Sequence, residues 1–222
     1  AGAAGYAEAS VASMLRAAWR EASDWLERLE FITREGGEGD GGGDGGGGGG
    51  ARFSLTPHGK ACAAFADGHP LIMGSVIADG WLQDLSTAEV CAWICLFLQE
   101  RRAIEVDGFE LPVMSEALHA AVEHTDKLGE LFEQEFDRTL SRMMLEWCLH
   151  KDIRRIAQCL DPHMLGVFVK TVLRVVSYLD VTREVLLGLN EFELFNRLDH
   201  HTDLLLGGLV TNESLYLRLA EA

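Results

Sequence analysis

Lys170, Arg174 and Ser177 stand at i, i+4 and i+7 within DPHMLGVFVKTVLRVVSYLD, the stretch from Asp161 to Asp180. On a helix that spacing puts three side chains in one narrow line. Two cations and a hydroxyl in a row suit an anionic polymer, whose phosphates they would hold. A second reading stays open, in which the cations snorkel to the surface or pair with some of the chain's many acids. No nucleophile elbow, phosphate-binding loop or HExxH sequence accompanies them, so no catalytic residues are assigned. Cys91 and Cys95 lie one helical turn apart, the spacing of two metal ligands. No second Cys or His pair matches them, and with Trp93, Ile94 and Phe97 beside them they read as core thiols; no metal site is assigned. The pairs His119/His124 and His200/His201 also lack a partner set and read as surface histidines.

The elements that must position the line are helical. Asp161 and Pro162 make a good helix opening, an oxygen cap followed by proline. Leu165, Val167, Phe168, Val169, Val172, Leu173, Val175, Val176 and Leu179 then cover most of the circumference, which predicts a central helix. Upstream, Glu8 to Phe31 carries Met14, Leu15, Ala18, Trp25, Leu26 and Leu29 at helical spacings. Phe31–Thr33 and Arg52–Leu55 read as paired short strands. Between them Gly36 to Gly50 is glycine broken only by Glu38, Asp40 and Asp44, expected to be a disordered coil spanning roughly 20 Å. It has no GKS or GKT, so it is not an ATP site.

Thr56–Pro57 opens a helix to Phe65, and His69–Pro70 opens another toward Trp81. Ser86 with Glu89 forms a capping box ahead of a helix apolar on nearly every side, which predicts a second central helix. Ser115 begins a long amphipathic helix toward His150, followed by helices at Ile153–Leu160, Val181–Leu189, Glu191–Leu206 and Leu209–Leu219. The fold class is mainly α, a helical bundle with a short β-hairpin near the N-terminus.

A chain of 222 residues with 48% apolar content can bury a real core. No run of eighteen apolar residues exists, so no membrane partner is expected. The opening AGAAGYAEAS has neither an initiator methionine nor a signal pattern, which predicts a fragment, a processed product or an excised domain. Five cysteines among apolar residues predict reduced thiols and a nuclear or cytoplasmic home. The net charge of −16 argues against a broad nucleic-acid surface and restricts any such contact to a local stripe. Acids from Glu105 to Asp137 read as a solvated helix face.

The order of several motifs resembles the DSHCT domain, the C-terminal helical domain of DExH RNA helicases of the superkiller and nuclear mRNA-transport type. They are LTPHGKA at Leu55–Ala61, GWLQDLS at Gly80–Ser86 and the apolar helix from Glu89. Leu145–Glu146–Trp147, Gly166–Lys170, Arg174 and the closing Gly208–Leu217 follow in the same order. The resemblance covers residues 26–217. It implies an end segment at 1–35, a glycine insertion at 36–50 and a DSHCT-like bundle at 51–222. It also implies that Lys170 and Arg174 contact single-stranded RNA leaving an ATP-dependent motor, and Ser177 joins that RNA-binding set by its place on the same line. ATP and magnesium would bind RecA-like domains in cis, outside this chain. The RNA exosome or its adaptor proteins would be further partners, in RNA decay or processing.

The chain departs from the family pattern at Leu173, often arginine, at Ser177, often glutamate, and at Leu206–Gly208, where a basic pair is usual. The alternative is a helical protein-interaction module without a motor, docking a basic partner on its acidic surface.

Overall fold

Side-chain caps and two tight turns decide where the chain folds back. The computed structural model describes residues 2–35, 52–98, 111–160 and 165–209. The expectations for the glycine run, the Asp161–Pro162 opening and the helix beyond Leu209 lie outside the described residues. Helix α1 (Gly2–Arg28) is followed by Glu30 at a left-handed φ of 61°, which turns the chain into a hairpin. Strands β1 (Ile32–Glu35) and β2 (Arg52–Leu55) pair antiparallel from Ile32↔Leu55 to Glu35↔Arg52, as the sequence predicts. Thr56 then ties the hairpin to the bundle, its hydroxyl donating to the Glu30 carbonyl at 2.6 Å while also accepting from Gly59 N.

That cap starts α2 (Pro57–Ala63), and His69 caps α3 (Pro70–Ala78). The predicted capping box is present, Ser86 and Glu89 bonding reciprocally at the head of α4 (Thr87–Ile94). A 3-10 turn, Cys95–Phe97, closes that segment. Ser115 caps α5 (Glu116–Leu131) as predicted. The long helix expected from Ser115 to His150 is in fact two. The chain turns back after α5 and resumes as α6 (Thr139–His150). Gly129 permits the turn: Gln134 N donates to its carbonyl, and a Cβ there would stand 2.5 Å from the Gln134 carbonyl oxygen.

Asp152 caps α7 (Ile153–Cys159), and α8 (Leu165–Leu189) follows. The boundary expected at Val181 is absent because nothing between Asp180 and Leu187 stops a helix, so α8 runs on without a break. Conversely, the helix expected over Glu191–Leu206 divides into α9 (Phe192–Arg197) and α10 (His201–Leu206).

The centre of the bundle is α4, as its all-round apolar sequence predicts, whereas α8, predicted central as well, is not. Every residue from Val90 to Leu98 is at most 7% exposed, and α4 packs against α5, α6 and α8. Trp93, fully buried, donates its indole N–H to Thr125 Oγ1 at 2.9 Å. Helix α8 buries only one face, through Phe168, Thr171, Val172, Val175, Tyr178, Leu179, Thr182, Val185 and Leu186. Leu173 and Leu187 face solvent. The last helices are clamped onto the α3–α4 connection, where Arg197 donates to the Gln83 and Leu85 carbonyls at 2.6 and 2.8 Å.

Helix α1 seats its last turns, with Ser23 buried and Trp25 edge-on to Phe132 at 5.6 Å. Its apolar spacing does form a helix, but Val11, Met14, Leu15 and Trp19 lie exposed.

Candidate functional site

The polar line runs along the solvent side of α8, opposite its buried face. Lys170 and Ser177 are exposed and Arg174 is half-exposed. The cations therefore incur no core desolvation, which corrects the expectation of a line along a buried helix. Ser177 turns its hydroxyl back to the Leu173 carbonyl at 3.4 Å. Arg174 reaches across to the turn between α2 and α3, where its Nη2 lies 3.3 Å from Asp67 Oδ2. Both partners are well exposed, so this ion pair is worth about 0–1 kcal/mol.

Asp67 is the hub of the arrangement. Its second oxygen accepts from the hydroxyl of Tyr178, one helical turn beyond Arg174. Gly68 follows at φ +76°, a left-handed position where a Cβ would also crowd the Tyr178 hydroxyl at 3.0 Å. His69 comes next, and its Nδ1 accepts from Ile72 N at 3.4 Å to cap α3. A capping acceptor must be unprotonated, and burial agrees, holding the imidazole below its ordinary pKa. Phe132 packs on its ring at 4.9 Å.

These groups open onto a cleft of about 250 Å³, lined by Asp67, His69, Phe97, Gln134, Phe136 and Arg174 among others. Phe97 and Phe136 meet edge to face at 5.1 Å on its apolar side. The cleft thus combines aromatic rings, a guanidinium, a carboxylate and an amide at the foot of the cationic line. Of the three residues singled out in the sequence, the structure brings Arg174 into this cleft and leaves Lys170 and Ser177 beside it on the helix surface. Asp67, His69, Gln134 and Tyr178 were missed. The Asp67–Gly68 turn signal and the i+4 spacing of Tyr178 from Arg174 are the hints the sequence holds.

The other candidates resolve individually. Cys91 and Cys95 are core residues, and burial pushes both thiols well above the ordinary range. His119 and His200 are exposed as expected. His124 is not a plain surface residue: it stacks on Trp81 at 4.3 Å, with its Nε2 3.8 Å from Asp79. His201 is buried, at 2% exposure, bonding the Leu198 carbonyl through Nδ1 at 2.8 Å and facing Asp180 at 3.1 Å. It plugs the junction of α8 and α10, which corrects its reading as a surface histidine. The acids of α5 and the following turn, including Glu116, Glu123, Glu130, Glu133 and Glu135, are exposed as a solvated face.

Among the described residues no helix is long and apolar enough to cross a membrane. A search of curated proteins finds no match. The model of one family, the DSHCT (NUC185) domain, matches residues 52–211, from the first residue of β2 to just beyond α10.

Proposed function

The chain belongs to the DSHCT family, a domain found in superkiller-type helicases, and from that premise we propose that it guides single-stranded RNA leaving an ATP-dependent motor. The observation that supports this reading is the solvent-facing line of Lys170, Arg174 and Ser177 over a cleft edged with aromatic groups. A phosphate approaching α8 replaces Asp67 as the partner of Arg174. Because that ion pair is exposed and weak, the exchange costs little. Phosphate contact with bases against aromatic or guanidinium faces holds a strand without demanding a particular sequence.

ATP hydrolysis and its magnesium belong, in this proposal, to RecA-like domains of a longer chain, with delivery to the exosome or its adaptors in RNA decay. The work of this domain is positioning, and its compartment is nuclear or cytoplasmic.

The experiment is binding of a labelled oligouridylate across a salt series, with wild type beside Lys170→Ala/Arg174→Ala. Two phosphate contacts predict that the double change lowers the slope of log K against log salt by about 1.4. An unchanged slope would remove the line from the RNA path. A second reading, a protein-docking module, draws on the exposed acids of α5. Absence of RNA binding at low salt would favour it.

A further inference from the structure

The cleft beside Arg174 has a composition that the guide reading alone does not use. A strand held only by phosphates needs cations, yet this cleft also holds two side-chain acceptors, the Asp67 carboxylate and the Gln134 amide oxygen. Asp67 offers a carboxylate that the Tyr178 hydroxyl keeps in place when a phosphate takes over the guanidinium of Arg174. Each of its oxygens retains acceptor capacity after that bond. Gln134 donates from its amide nitrogen to the Glu135 carbonyl at 2.8 Å, leaving its carbonyl oxygen as a further acceptor. The volume of about 250 Å³ falls below that of pockets for drug-sized ligands and suits a single planar ring system. Phe97, Phe136 and the neutral His69 ring supply apolar edges, and Arg174 supplies a planar cation.

Resting on the guide reading, we propose that this cleft takes one unstacked guanine base of the passing RNA. Unpaired RNA bases are recognised by stacking on aromatic or guanidinium planes and by hydrogen bonds to their Watson–Crick edges. Of the four edges, guanine alone presents two adjacent donors, the ring N1–H and the exocyclic amino group, and these match the two oxygens of a carboxylate. Uracil places a carbonyl oxygen on each side of its single N–H and would set them against Asp67. Adenine and cytosine each pair one donor with a ring acceptor, which also faces the carboxylate unfavourably. The domain would therefore slide along most sequence and pause at guanosines.

The test compares a short oligouridylate with the same strand carrying one central guanosine or one central adenosine, by fluorescence anisotropy on the whole chain. Free GMP and UMP are titrated in parallel, followed through the amide signal of Gly68. The guanosine strand is expected to bind about tenfold tighter than the other two, the ratio that one bidentate set supports. Asp67→Asn is expected to abolish that ratio and to raise affinity for the uniform strand, because Arg174 is released to the phosphates. Equal affinity for all three strands, with salt-dependent binding intact, would overturn the base pocket and leave the guide reading standing. A Gly68 response to GMP but not UMP, lost in Asp67→Asn, with no strand binding, would uphold the pocket and overturn the guide reading. No response to either nucleotide and no strand binding would overturn both.

Discussion

Gly74→Ala should loosen the turn that carries Asp67. Gly74 lies where α3 crosses α2, and a Cβ there would stand 2.5 Å from both the backbone nitrogen and the sulfur of Cys62 and 2.7 Å from its Cα. Carbon contacts settle near 3.5–4.0 Å, so the two helices must part by about 1 Å. The sulfur can rotate away, but the Cys62 backbone belongs to α2 and cannot. Overpacking of this kind costs about 1–3 kcal/mol, offset by about 0.5–1 kcal/mol from replacing a helical glycine. The net is a loss of up to about 2.5 kcal/mol, and the backbone contact, which cannot rotate away, puts it toward the upper part of that range.

Gly188→Ala is the matched control. It sits near the end of α8 with nothing within 4 Å of its added Cβ, so only the propensity gain of about 0.5–1 kcal/mol applies. Urea unfolding of both variants and the parent measures the midpoints, with unchanged slopes as the check on a two-state comparison. Opposite shifts are expected. A Gly74→Ala protein as stable as its parent would refute the view that α2 and α3 are locked at this crossing. Because Asp67, Gly68 and His69 connect those helices, the same variant should also displace the Gly68 amide signal, whereas Gly188→Ala should not.

Two further outcomes follow from the core and its histidines. Trp93→Phe keeps an aromatic ring but loses the indole bond to Thr125 and leaves a void, so thermal unfolding should show a loss of roughly 1–3 kcal/mol. Thr125, which still donates to the Ala121 carbonyl at 2.8 Å, limits the damage. Burial lowers the pKa of both His69 and His124, although Asp79 opposes the shift at His124. The unfolded chain therefore binds more protons below about pH 6.5, and stability should fall on acidification through that value and level off below the folded pKa values. Replacing both residues with glutamine should flatten this part of a stability profile; an unaltered profile would assign it to other groups.

The sequence made local punctuation legible and burial less so. The Ser86–Glu89 box, the Thr56, Ser115 and Asp152 caps and the hairpin pairing all follow from short-range hydrogen bonding that a few residues dictate. The α5–α6 break was harder, because its signal is one glycine four residues before the left-handed Glu133 rather than a proline or a turn dipeptide. The standing of α8 was misread because apolar type was equated with burial. Thr171 and Thr182 are buried there, their hydroxyls returned to the Val167 and Tyr178 carbonyls, while Leu173 and Leu187 stay outside. Arg174 was legible as a polar group needing a partner. Asp67 was not, since the contact spans 107 residues and the packing of α2 and α3 against α8 brings it near.

The buried thiols give the molecule a set of clocks placed at known depths. Cys62 lies on α2, Cys91 on α4, Cys95 in the 3-10 turn and Cys148 on α6, and burial drives the Cys62 pKa up to about 12. A thiol is alkylated only as the thiolate and only once reagent reaches it, so each site reports its own opening. A bundle that opens as one unit labels all four at a single rate. If the α2–α3 pair detaches first, Cys62 is trapped while Cys91 and Cys95 stay silent, and the ratio of rates gives the free energy separating that partial opening from global unfolding.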